Sequence, residues 1–119
     1  MRYVSTRGNE EELSFQDVLI SGLARDGGLF VPKVWPQISE EDMVSFAELS
    51  YQDVAFRVMK PFIGNTFSDD EFRFMIKEAY SSFDHAAICP LVQLSKNHFL
   101  LELFHGPTLA FKDIAMQLI

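Results

Sequence analysis

Leu49-Ser50-Tyr51-Gln52-Asp53-Val54-Ala55-Phe56-Arg57-Val58-Met59-Lys60-Pro61-Phe62 is the stretch whose reading decides the fold class. Ser50 follows an apolar residue and precedes an acid three positions on and an apolar residue at four. A Ser at a helix N-cap accepts a bond from an orphan backbone N–H. The acid can reach back to the cap's own N–H, and the apolar pair closes over the turn. From there Tyr51, Val54, Ala55, Val58, Met59 and Phe62 recur at i, i+3, i+4, i+7, i+8 and i+11, one apolar face of a helix. Pro61 is expected to stop this helix near its end, with Gly64-Asn65 separating it from the next.

The same device occurs at Leu13-Ser14…Asp17-Val18, Ile38-Ser39…Asp42-Met43 and Phe67-Ser68…Glu71-Phe72. Only the last has the Glu of a full capping box; the shorter Asp is expected to make the reciprocal bond less well. After Ser68, residues Phe72, Met75, Ile76, Ala79, Tyr80 and Phe83 form a second stripe. After Ser14 a shorter helix is expected, with Phe15, Val18, Leu19 and Leu23 inward and an end near Gly22. The Met and aromatic stripes read as core, not as a cofactor box. The acids at these starts read as caps, not as catalytic pairs.

Outside the helices, Arg25-Asp26-Gly27-Gly28 reads as a turn and Leu29-Phe30-Val31-Pro32 as a short extended piece. Leu91–Leu94 and His98–Phe104 read as strands joined at Ser95-Lys96-Asn97. The second is nearly all apolar apart from Glu102, a pattern suited to a strand covered on both faces. Phe111–Ile119 has helical spacing, with Phe111, Ile114, Ala115 and Leu118 on one side. It stops at Gln117-Leu118-Ile119 with no cap or breaker, so a truncated chain is expected.

The chain has 119 residues, 10 Lys+Arg against 17 Asp+Glu, and a net charge of −7. That balance repels phosphate backbones and no stretch concentrates Lys or Arg, which argues against nucleic-acid and anionic-membrane partners. Cys89 alone cannot form an internal disulfide, which favours a reducing compartment. The N-terminus runs into Glu10, Glu11 and Glu12 rather than an apolar signal core. The apolar stretches Ala86–Val92 and Phe99–Leu101 fall far short of the ~20 residues a spanning helix needs. A cytoplasmic location is the expectation. Twelve Phe imply a large aromatic core or an interface.

For chemistry, His85, His98 and His105 stand 13 and 7 residues apart, with no ligand spacing between them, so no metal site is expected. Cys89 precedes Pro90 in an apolar run and reads as buried filler. No glycine-rich dinucleotide or Walker pattern is present. The remaining candidate is His105-Gly106-Pro107-Thr108-Leu109-Ala110-Phe111-Lys112-Asp113, an apolar strand entering a Gly-Pro loop and then a helix headed by Lys112. The positive end of the helix and desolvation by Ala110 and Phe111 would both favour a neutral amine there, with Asp113 offsetting part of the effect by pairing. A neutral amine is what a Schiff base with an aldehyde cofactor requires. On spacing alone, a surface Lys snorkelling past apolar neighbours is the commoner reading.

Glu102-Leu103-Phe104-His105-Gly106-Pro107-Thr108-Leu109-Ala110-Phe111-Lys112-Asp113 resembles the cofactor-attachment segment of the threonine synthases, pyridoxal-phosphate enzymes of the β-family (fold type II). Met1–Arg7 resembles that family's opening, Ser14-Phe15…Gly22–Pro32 its following stretch, and Pro61-Phe62-Ile63-Gly64 a further segment, so the likeness covers essentially the whole chain in order. It implies conversion of O-phospho-L-homoserine and water to L-threonine and phosphate, with pyridoxal 5'-phosphate as cofactor. By motif match Lys112 is the cofactor-binding and catalytic residue, holding the cofactor and then moving protons at the substrate's α, β and γ carbons. The phosphate-cradling loop and substrate-phosphate groups are implied to lie beyond Ile119. No catalytic role follows for His105 or Thr108, which read as shaping the loop.

The expected fold class is therefore α+β: a mainly helical N-terminal domain over residues 1–85, then over 86–119 the first strands and helix of a truncated α/β catalytic domain. The rest of that domain and the small-molecule substrate are the expected partners, and the 119 residues alone are expected to be inactive. A threonine-synthase-like phospho-lyase would share the lysine motif. A non-catalytic helical packing module is the rival from another class.

Overall fold

Ser14, Ser39 and Ser50 each accept a hydrogen bond from the backbone N–H three residues on, at 3.2, 3.0 and 3.1 Å. The reciprocal bonds also form: the N–H groups of Ser14 and Ser39 donate to Asp17 and Asp42 at 3.3 and 3.1 Å. Asp therefore completes the capping box here, because the Ser hydroxyl also donates to the carboxylate and draws it in, at 2.5 Å for Ser14 and 2.7 Å for Ser39. The structure, a computed structural model, describes all of residues 1–119. Its helices and small antiparallel sheets make it an α and β mixture.

The elements are β1 (Arg2–Ser5), β2 (Leu13–Ser14), α1 (Phe15–Ser21), β3 (Phe30–Pro32), α2 (Glu40–Ser45), α3 (Tyr51–Ile63), α4 (Asp69–Tyr80), β4 (Leu91–Ser95), β5 (His98–Leu101) and α5 (Asp113–Met116). No helix is long and apolar enough to cross a membrane. The chain forms two compact units that interleave in sequence. The first holds Met1–Val44 and Arg57–Ser68, the second Ser45–Phe56 and Asp69–Ile119, so α3 contributes its two halves to different units.

In the first unit an antiparallel sheet runs in the order β2-β1-β3, with Tyr3 opposite Leu13 on one side and Pro32 on the other. Tyr3 and Ser5 alternate inward along β1, a strand that the sequence pattern does not mark. The Tyr3 ring packs on Phe15 at 6.2 Å, and its hydroxyl donates to the Phe62 carbonyl at 2.9 Å. Buried Ser5 donates to Asp26 at 2.8 Å, and Asp26 also accepts from the Gly28 N–H, closing the expected turn. The Ser5 hydroxyl is the main cause that holds the Asp26 carboxyl below its usual range. α1 ends at Gly22, whose φ of 69° is left-handed backbone that a side chain would strain.

Three expectations in this unit are corrected. Phe15 and Val18 are half-covered, but Leu19 and Leu23 are exposed, since nothing in this chain packs on that face of α1. The helix α3 runs through Pro61 to Ile63 and is ended by Gly64 at a φ of 65°. A Pro in the last turn removes only one helical bond, so the helix survives it. Its buried residue in this unit is Ile63, which lies outside the sequence stripe, while Phe62 on the stripe is half-covered with Trp35 edge-on at 6.3 Å.

In the second unit α4 buries Phe72, Ile76, Ala79 and Tyr80, while Met75 is exposed. Ile76 is only 1% exposed and forms the centre of this core. The Phe56 and Phe72 rings meet at 5.8 Å, and Tyr80 is held edge-on by Tyr51 at 5.0 Å and Phe83 at 5.5 Å. Phe56, outside the sequence stripe, is buried because the Arg73 guanidinium lies 3.8 Å over its ring while pairing with Asp53 at 2.9 Å. Burial raises the pKa of the Tyr51 and Tyr80 hydroxyls above the ordinary phenol value. Cys89 is half-buried.

The antiparallel hairpin β4–β5 carries a bulge between Gln93 and Ser95. β5 ends at Leu101 rather than Phe104, and its apolar side chains are exposed rather than covered, because only one other strand pairs with it. α5 spans four residues, not Phe111–Ile119; Phe111 and Ala115 face outward, so no apolar stripe extends it.

Candidate functional site

The segment from Glu102 to Asp113 begins where Glu102 donates its N–H to the Pro90 carbonyl at 3.0 Å, extending the hairpin by one rung. The His105 carbonyl then accepts the Asp84 N–H at 3.0 Å. The His105 ring lies between two carboxylates, Nε2 at 2.7 Å from Glu102 and Nδ1 at 2.8 Å from Asp84. Glu102 first, and Asp84 with it, raises the His105 pKa above the ordinary imidazole value against the opposing effect of burial. Asp84 is a partner that sequence spacing could not indicate, being 21 residues away.

Gly106 is buried, and a Cβ on it would lie 2.5 Å from the Asp113 Cβ. That space lets the Asp113 carboxylate turn back into the loop. There it accepts the Thr108 N–H at 2.8 Å and the Thr108 hydroxyl at 2.7 Å, with the Gln117 amide at 3.5 Å. Burial alone would push the Asp113 carboxyl up; the Thr108 bonds outweigh it and hold the carboxyl below its usual range. Leu109 sits at a φ of 61° and donates its N–H to the Gly106 carbonyl at 3.1 Å, making the tight turn between them.

Lys112 follows with helical backbone angles, φ −65° and ψ −22°. Its carbonyl accepts from the N–H groups of Ala115 at 3.0 Å and Met116 at 2.9 Å. The Tyr80 hydroxyl donates to the next carbonyl but one, Ile114, at 2.9 Å. Two sequence expectations are corrected. Ala110, Phe111 and Lys112 are all exposed, so this chain does not desolvate the amine. Asp113 does not pair with Lys112, because its oxygens are occupied by Thr108 and Gln117.

The other histidines are placed apart in role. His85 Nδ1 accepts the Ala87 N–H at 3.1 Å, and His98 Nδ1 meets the Ser95 hydroxyl at 3.1 Å. No three His, Cys, Asp or Glu side chains come together to hold a metal ion. An open cleft of about 840 Å³ in the first unit is lined by Glu10, Glu11, Asp17, Arg25 and Asp26 among others; Lys112 is not part of it.

A sequence profile described as the threonine synthase N terminus matches residues 2–80. The chain belongs to the threonine synthase family. A threonine synthase of Pseudomonas aeruginosa is 51% identical over 119 residues, all of this chain and 25% of that protein. The PLP-bound threonine synthase from Brucella melitensis superposes on 99% of the chain, and on 25% of its own, with a TM-score of 0.96 and 53% identity. A yeast threonine synthase superposes on 98% of the chain, and on 24% of its own, with a TM-score of 0.90 and 40% identity. The chain thus spans about a quarter of the length of these family members.

Proposed function

We propose that the chain is the N-terminal part of an enzyme converting O-phospho-L-homoserine and water to L-threonine and phosphate, with pyridoxal 5'-phosphate carried on Lys112. The observation that carries this reading is the superposition of 99% of the chain on a PLP-bound threonine synthase at 53% identity. Lys112 fits an aldehyde-bearing cofactor: it is exposed, its ε-amine makes no hydrogen bond or ion pair, and the adjacent Asp113 is engaged by Thr108. When bound, the cofactor supplies an electron sink for charge developing on the substrate's carbon atoms. The Lys112 ε-amine first holds the cofactor, is displaced by substrate, and then moves protons at the substrate's α, β and γ carbons.

In this reading residues 1–85 form a helical N-terminal domain and 86–119 open the catalytic domain, whose remainder cradles the cofactor phosphate. The profile match over 2–80 supports that division. The enzyme works in the cytoplasm, and the 119 residues alone are inactive, since a lysine without its phosphate cradle cannot hold the cofactor in reacting geometry.

The test uses the full-length protein. O-phospho-L-homoserine should yield equal amounts of phosphate and threonine, and Lys112→Ala should abolish both. Borohydride reduction followed by peptide mapping should find the cofactor on Lys112. Label on Lys60, Lys77 or Lys96, or phosphate released without threonine, would overturn the assignment.

A further inference from the structure

We infer that Asp113 and Tyr80 are positioning residues for Lys112, gripping the peptide that bears it from both sides. The inference rests on the reading of Lys112 as the cofactor lysine. α5 is four residues long, too short to hold its own geometry, and Phe111, Ala115 and Met116 around Lys112 are exposed. Within these 119 residues apolar packing therefore does not fix this lysine. Polar ties do.

On one side, Asp113 is 3% exposed and no cation pairs with it, so its charge is held by the Thr108 N–H and hydroxyl, with the more distant Gln117 amide beside them. Gly106 leaves the room this needs. On the other side, the Ile114 carbonyl is free of the helix ladder, because the Leu118 N–H turns to Ala115 at 3.2 Å. The Tyr80 hydroxyl takes that carbonyl at 2.9 Å, and its ring is itself fixed between Tyr51 and Phe83. Between the two ties, the Lys112 carbonyl accepts from both Ala115 and Met116. The main chain of Lys112 is thus immobilised while its amine is bound to nothing. That division suits a group that must meet a reacting carbon at a set distance and change partners during turnover. A displacement of about 1 Å at such a group can cost roughly 10²-fold in rate.

The experiment uses the full-length holoenzyme carrying Asp113→Asn, Thr108→Val or Tyr80→Phe, with Thr108→Ser as the variant that keeps both donors. Peptide mapping after borohydride reduction locates the cofactor. The visible absorption of the lysine-bound cofactor is titrated with pH, and kcat and KM are measured. The expected result is cofactor still on Lys112, with the absorption titration moved by about half a pH unit or more. With it, kcat should fall roughly 10- to 100-fold while KM changes by less than about threefold. Thr108→Ser should restore both. Tyr80→Phe keeps the buried ring, so it decides the matter even where Asp113→Asn does not fold. Cofactor on Lys112 with an unmoved titration and unchanged kcat in Tyr80→Phe and Thr108→Val overturns this inference alone. Cofactor on another lysine in the unaltered enzyme overturns the functional reading, and this inference with it.

Discussion

His105 Nε2 lies 2.7 Å from a Glu102 carboxylate oxygen, and Asp84 faces the ring's other nitrogen. A neutral imidazole has one N–H and can satisfy only one of two acceptors, so the arrangement favours the doubly protonated ring. The His85 ring, 4.9 Å away, is the other titratable group against it.

Because the folded pKa is raised above 6.5, the stabilisation from His105 should be complete below that value and fade as pH rises through the folded one. Urea midpoints for the protein and its His105→Gln variant, from about pH 5 to about pH 9, check this. Their difference should be largest at the acid end and shrink on the alkaline side. A gap that widens with rising pH contradicts the geometry.

Ser39 and Asp42 bond reciprocally at the head of α2, and Ser39→Ala should destabilise by about 1 kcal/mol in denaturant titration. The Ser39 hydroxyl is the main cause that depresses the Asp42 carboxyl below 3.8. The carboxylate's share is therefore present above that value and lost as pH falls through the folded one. The penalty of Ser39→Ala should accordingly shrink in acid.

Ile76 and Phe74 lie two residues apart on α4 with opposite fates, 1% and 64% exposed. Ile76→Ala should cost about 3 kcal/mol, because it empties the centre of the second unit's core. Phe74→Ala should stay within about 0.5 kcal/mol. Equal costs by chemical denaturation would mean the core is centred elsewhere.

Gly106 and Gly22 forbid a side chain for different reasons. At Gly106 an added Cβ meets Asp113, so Gly106→Ala should cost about 1–3 kcal/mol through overpacking. At Gly22 nothing lies within 4 Å, but φ is 69°, so Gly22→Ala should cost about 1 kcal/mol through backbone strain alone. Asp113→Gly in the same background removes the Cβ, carboxyl carbon and oxygen that the new methyl meets, so it should lower the first cost and leave the second unaltered, a coupling that a double-mutant cycle measures.

The sequence by itself determined the features whose cause lies within a few residues. A Ser with an acid three positions on marks the starts of α1, α2 and α3, because cap and partner share one turn of chain. The β4–β5 hairpin and the Arg25–Gly28 turn are local in the same sense, and the run from Glu102 to Asp113 suffices for the family resemblance. Periodicity named the stripe of α4 well and that of α3 poorly, because Phe56 is buried by Arg73, whose position over the ring depends on a second helix. β1 was invisible because a four-residue strand becomes one only when β2 and β3 pair with it. Only the tertiary structure decided what surrounds Lys112. Tyr80 and Ile114 are 34 residues apart, and Asp113 meets Thr108 across a loop rather than along a helix. Hydrogen bonds of that kind follow no period in the sequence; they exist because folding brings a donor and an acceptor to the same place.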